Sequence, residues 1–399
     1  MTVAALFAAL GLLTVFKIPD SVDWRLTIIA GQFGYLLAVV PLVVGLVAWF
    51  HSGTRRPLDV ATSVTAAAAV VLLLQPCVQA WAIGRRLPGR LEQAFGPAAV
   101  AAQPFTLGGL LSGWQQAAPK STWAYSGPLK LDFYPAIGRS PAPCVVVIHG
   151  GGWDDGDRGQ IASFNDWLAR AGYCVADISY RLAPGATWPA QREDVAAAIS
   201  FVKAHAAAWN VDPARLVVFG RSAGGQIAEA SAYALHDPSV RGVIALYAPA
   251  DMNFAWKWGR EDDALKSPEL LRRFLGGTPA TAGPAYDSAS GILLVNAGSP
   301  PTLLVHGTID TLVWNRQSER LAATLSAAGV PNLLVEMPWA THALEFNLGS
   351  PSGQLTTYSV SWFLAAVCRC GARKRLPPHG RPQARPAPPR PEGEGGHPA

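Results

Sequence analysis

Apolar positions follow two different patterns along this chain. Through the first ninety residues they gather in long runs, at 3–16, 26–50 and 60–83, and the second and third exceed the ~20 residues that carry a helix across a bilayer. The first run is shorter and lacks the basic start of a cleavable leader, which favours a short or tilted membrane helix. About three transmembrane helices are therefore expected over residues 1–84. Residues 85–121 are rich in Gly, Pro and Ala, carry Phe95, Phe105 and Trp114, and show no period. They read as a linker that folds over the domain next to it.

Beyond that point short β-branched runs alternate with amphipathic stretches, the signature of an α/β domain with a mainly parallel sheet flanked by helices. Strands are predicted at 129–134, 144–148, 173–178, 215–219, 242–247, 302–305 and 332–336. Helices are predicted at 164–171, 190–208, 223–235, 315–328 and 355–367. The pattern predicts one domain over 122–370, without internal repeats. Residues 371–399 are Pro-rich and polar, so they cannot bury enough apolar surface to offset ordering entropy and are expected to be disordered.

Composition supports the membrane reading, because only 15% of the residues are charged and half are hydrophobic, against about a quarter charged in average soluble chains. The net charge of +5 does not form a nucleic-acid footprint. Much of the excess lies in the tail, at Arg373, Lys374, Arg375, Arg381, Arg385 and Arg390, without the basic, aromatic-interleaved face such binding needs. Five cysteines, Cys77, Cys144, Cys174, Cys368 and Cys370, are odd in number and suggest no disulfide framework. The one-residue gap between Cys368 and Cys370 is too short for common zinc sites. No metal and no cofactor is expected.

The strongest chemical signal is Gly220-Arg221-Ser222-Ala223-Gly224-Gly225 between an apolar strand and a helix. A serine there can occupy a sharp turn that lifts its hydroxyl above the sheet, and the following helix N-terminus favours a developing oxyanion at the Ala223 amide. A second signal, His149-Gly150-Gly151-Gly152-Trp153, also follows a strand, and its glycines let successive amides approach one negative charge. His149 itself suits a structural role better than that of a base. A nucleophile needs a base and the base an orienting group. Asp310 and His342 follow later predicted strands and fit, whereas His306 lies beside a strand, His205 and His236 on helices, and His51 between apolar runs. Asp251 is an alternative acid.

With these motifs, and with Ser179-Tyr180-Arg181-Leu182-Ala183-Pro184, Pro189-Ala190, Asp194-Val195 and Asp212-Pro213 in matching order, residues 129–367 resemble the α/β-hydrolase superfamily. The likeness is to its hormone-sensitive-lipase-like and BD-FAE-like carboxylesterases. The resemblance implies an α/β-hydrolase fold, a catalytic triad of Ser222, Asp310 and His342, and an oxyanion hole from the amides of Gly151, Gly152 and Ala223. The chain departs from the family in two ways. Arg221 stands where many relatives carry an acid, which bears on substrate preference, and the apolar N-terminal region is not general. The expected function is serine carboxylester hydrolysis through an acyl-enzyme. The alternatives are an amidase or formamidase using the same triad, or a non-catalytic ligand-binding protein on this fold. Expected partners are a small-molecule or lipid-like ester and membrane lipid, with no nucleic acid. Trp153 and the aromatic stretch Met252, Phe254, Trp256 and Trp258 are expected to line the pocket, with Ser222 and His342 on surface loops. Basic residues flanking the apolar runs, Lys17, Arg25, Arg85, Arg86 and Arg90 against Arg55 and Arg56, favour a cytoplasmic catalytic side.

Overall fold

The computed structural model describes residues 1–18, 23–51, 56–112, 117–118 and 120–369. The tail expected to be disordered, Cys370, Arg55 and Trp114 lie outside the described residues. Four helices come first: α1 Thr2–Leu12, α2 Arg25–Leu37, α3 Val39–His51 and α4 Pro57–Gly84. The α5 helix, Leu87–Phe95, lies within the stretch read as a linker, and it packs Leu87, Leu91, Ala94 and Phe95 inward.

Eight strands then form one sheet: β1 Ser121–Ser126, β2 Leu129–Tyr134, β3 Ala142–Ile148, β4 Cys174–Ile178, β5 Val211–Arg221, β6 Val240–Leu246, β7 Thr302–Gly307 and β8 Asn332–Met337. Their order is β1-β2-β4-β3-β5-β6-β7-β8. The β1–β2 and β2–β4 pairs are antiparallel and the rest parallel. Between strands run α6 Ala162–Arg170, α7 Ala190–Ala204, α8 Ala206–Trp209, α9 Ala223–Leu235, α10 Met252–Trp258, α11 Ser267–Leu275, α12 Pro279–Ala289, α13 Gly291–Leu294 and α14 Arg316–Ala327, with α15 Pro351–Val367 last. The predicted sheet lacked β1. Its first four residues are exposed on the sheet edge, so no apolar alternation marks it.

Alternation through the pleat places successive side chains on opposite faces. Cys144, Val146 and Ile148 join the core beneath α7, α9 and α14. Val145 and Val147 join the one made with α5, α6 and α15. Both faces of β3 are thus covered, which is why the strand reads as an unbroken apolar run.

The expectation of three transmembrane helices is corrected. Among the described residues only α4, 28 residues long, has the length and apolar character to cross a membrane. The second apolar run bends by 51° between α2 and α3. The bend has a physical reason: α2 buries Thr27, Ala30, Gly31, Gln32 and Gly34 and takes its direction from the domain it lies on, whereas α3 follows α4. The first run yields a helix of 11 residues, about 17 Å at 1.5 Å per residue. Glycines let the helices approach closely. A Cβ at Gly11 or Gly45 would crowd the Cβ of Leu72 or Ala66 on α4, and one at Gly34 would crowd the Leu73 carbonyl.

Candidate active site

The turn after β5 holds Ser222 at φ 52° and ψ −122°, a conformation that disfavours any residue with a Cβ and persists only when its surroundings impose it. What imposes it is steric. A Cβ at Gly220 would overlap the Gly224 carbonyl, and one at Gly224 would overlap the carbonyls of Ile148 and His149. The α9 helix is thereby pressed against the end of β3, and its N-terminus stands behind Ser222.

The glycine run after β3 comes alongside. Gly150 packs against Ser222, and its amide donates to Gln160 Oε1 at 2.8 Å. Gly151 and Gly152 take φ values of 117° and 59°, which glycine alone adopts without strain. Gly150, Gly151, Gly152, Trp153, Ser222, Ala223 and His342 all line one cleft of about 760 Å³.

His342 follows β8 on a loop closed by Ala343 at φ 53°. Its Nδ1 lies 2.8 Å from Asp310 Oδ2. Asp310, fully buried after β7, also accepts from the amides of Leu312 and Val313 through Oδ1. His306 Nε2 stands 3.4 Å from Oδ2. Burial opposes charge on Asp310, but His342 and His306 outweigh it and hold the carboxyl well below its ordinary range.

Several expectations need correction. His342 is on a loop but buried, 7% exposed, because the Tyr247 ring packs on it with centroids 4.3 Å apart and Trp24 meets it edge-on at 6.2 Å. The Arg221 guanidinium, expected to bear on substrate preference, is engaged inside the protein. It is 1% exposed, lies over Phe219 and Phe164, and pairs with Glu345 at 2.7 Å. Glu345 also accepts from Tyr247 Oη at 2.7 Å. The residue before the serine therefore ties the elbow to the loop that carries His342.

The expected pocket aromatics divide between two sides of a helix. Phe254 and Trp258 line a neighbouring cavity of about 300 Å³ that shares Trp153, Pro249, Leu265, Leu270, Leu312 and Val313 with the cleft. Met252 is fully buried in the core, and Trp256 packs against Tyr286, so neither lines these cavities. Residues two apart on a helix point about 200° away from each other, so 254 and 258 share one face and 252 and 256 the other. Trp153 is held by its indole N–H on Gln226 Oε1 at 2.8 Å and by stacking on Phe274.

Asp251, His149 and His306 each have structural partners. Asp251 caps α10 through the Phe254 amide and pairs with Arg320 at 2.6 Å. His149 stacks on Tyr180 with Nδ1 2.7 Å from the Gly150 carbonyl, and burial pushes its pKa down. His306 bonds Ser318 and the Val313 carbonyl. Sequence reasoning missed Trp24, Gln32, Tyr247 and Glu345. Only Gln32, a polar residue inside an apolar run, carried a signal.

Residues 131–325 match the BD-FAE family. Over that segment the chain is similar to α/β-hydrolases. Its hydrolase region is 31% identical over 242 residues to a probable carboxylic ester hydrolase, LipM, of Mycobacterium tuberculosis, covering 57% of this chain and 54% of that protein. It is 29% identical over 244 residues to the esterase LipQ of the same organism, covering 58% of each. The chain thus spans somewhat over half the length of these relatives. Among solved structures, a bacterial heroin esterase aligns at TM-score 0.54 and 23% identity over 66% of this chain and 89% of that one. Carboxyl esterase 2 of Tuber melanosporum aligns at 0.55 and 19% over 64% and 89%. The α/β-hydrolase domain accounts for the matched region.

Proposed function

We propose that this protein is a serine carboxylesterase in which Ser222 is the nucleophile, His342 its base and Asp310 the group that orients His342. The observation that carries the reading is the convergence of Ser222, the glycine run and an Asp310-bonded His342 on one cleft. With Nδ1 of His342 engaged by Asp310, Nε2 is the nitrogen available to take the Ser222 proton. The alkoxide adds to the ester carbonyl, and the amides of Gly151, Gly152 and Ala223 receive the oxyanion, each such donor contributing on the order of 3 kcal/mol. His342 then protonates the departing alcohol, and water hydrolyses the acyl-enzyme by the same route in reverse. Asp310, kept ionised by its neighbours, stabilises the imidazolium without accepting its proton.

The α1–α4 bundle is assigned to a lipid bilayer. Its outward side chains include Leu6, Phe16, Val43, Val47, Phe50, Val64 and Val71, all exposed, an area too extensive for a water-facing surface. The experiment is hydrolysis of p-nitrophenyl acetate by the full chain. Ser222→Ala and His342→Ala should each lower kcat by about 10⁴ or more; substantial activity in the His342 variant would overturn the triad.

A further inference from the structure

The apolar helices do more than carry the domain, because one of them reaches into the cleft. Trp24, the residue before α2, lines the same cavity as Ser222 and His342. Inside α2, Gln32 is 3% exposed and clamps the loop that holds His342: its Nε2 donates to the Ala343 carbonyl at 2.7 Å, and its Oε1 accepts from the Asn347 amide at 2.8 Å. The outer side of the same helix exposes Leu26, Ile29 and Leu36. One helix thus touches the catalytic loop on one side and presents aliphatic surface on the other.

Contacts along α4 set the depth of each part. Met1 sits at Thr62, Gly45 at Ala66, and Gly11 and Gly34 at Leu72 and Leu73, while Cys77 and Ala80 already belong to the core of the α/β-hydrolase domain. The α4 segment from Pro57 to Pro76, 20 residues, rises about 30 Å, close to the thickness of a bilayer's hydrocarbon core. Trp24 and Lys17 fall at the domain end of this segment, where the hydrocarbon meets water. The cavity rims there carry exposed aromatics, Phe346 and Trp258 each 58% exposed and Trp314 40%, with Lys17 Nζ 6.0 Å from the Trp314 ring. Aromatic rings with lysines beside them favour that level of a membrane.

We propose that the site takes its ester from the lipid phase: a membrane-dissolved ester with a long aliphatic chain reaches Ser222 by passing between Trp24 and Phe346. The aliphatic chain stays against apolar groups throughout, leaving the outer surface of α2 for the cleft and then the shared wall of Trp153, Leu270 and Leu312 toward Phe254 and Trp258. The proposal rests on the serine-esterase reading of the same cleft.

The test uses the full chain reconstituted in phosphatidylcholine vesicles, with p-nitrophenyl laurate in the bilayer and p-nitrophenyl acetate in the water. The quantity read is the ratio of kcat/KM for the two esters. Trp24→Arg places a charge where the chain must pass, and Phe346→Arg does so at an exposed position that tolerates substitution in the fold. Each should lower the laurate-to-acetate ratio at least tenfold. If Trp24 served only to position His342, both esters would slow together and the ratio would hold. An unchanged ratio in both variants overturns the lipid-phase route while leaving the esterase reading intact. Failure of the unaltered protein to hydrolyse either ester overturns both.

Discussion

Arg221 shows how one residue can be placed by chemistry other than the reaction. Its guanidinium and the Glu345 carboxylate are both withdrawn from water, at 1% and 0% exposure, so losing either partner strands the other. Arg221→Ala should therefore destabilise the domain by about 3–5 kcal/mol, the usual consequence of unpairing a buried charge, read as a fall in the thermal unfolding midpoint. A shift within experimental scatter would mean the pair is dispensable. Asp177 offers a pH-dependent counterpart. Burial drives its carboxyl up, against hydrogen bonds from the Gly159 amide and Asn165, and leaves its pKa at about 7. Unfolded, it would ionise near 4. Its contribution to stability is thus complete below pH 4 and is lost as pH rises toward 7, on the order of 1 kcal/mol per pH unit across that window. Asp177→Asn should gain stability relative to the unaltered protein between pH 4.5 and pH 7; parallel midpoints over that range would contradict the shift.

At the scale of elements, α10 makes a prediction through its two sides. Phe254→Ala and Trp258→Ala, which line the smaller cavity, should change acyl-chain preference in a series of p-nitrophenyl esters. Met252→Ala, on the buried side, should instead cost about 2–5 kcal/mol of stability with preference unchanged. The reverse pattern would mean that the cavity is not an acyl site. The same helix shows what the chain discloses by itself. An aromatic-rich excursion between β6 and β7 was legible, but its phase was not, because a helix of seven residues is too short for its period to identify the buried side. Seven of the eight strands and the serine turn were legible, because mostly buried strands form apolar runs and glycine-flanked turns have strict local requirements. The β1 edge was not, since exposed strands carry little pattern. The course of α2 was hidden for a different reason: contacts with Trp339, Ala343 and Asn347, more than 300 residues away in sequence, decide that it lies on the domain and breaks from α3.

In the whole molecule, an apolar bundle and an α/β-hydrolase domain share a boundary at which the cleft opens. Basic residues mark that boundary: Lys17, Arg25, Arg85 and Arg86 flank the domain end of the helices, and Arg56 the opposite end. With α4 placed in a membrane as proposed, the positive-inside tendency predicts a cytoplasmic domain, so protease added to intact cells should leave it uncut until lysis; cleavage of the domain in unlysed cells would reverse the orientation. Acylation of Ser222 is the step on which the proposed reaction turns, and covalent labelling addresses it directly. Incubating the full chain with a fluorophosphonate ester and sequencing its peptides by mass spectrometry should reveal a single stoichiometric phosphonyl adduct on Ser222, formed far more slowly in His342→Ala. An unlabelled Ser222 in protein that still hydrolyses p-nitrophenyl acetate would contradict it.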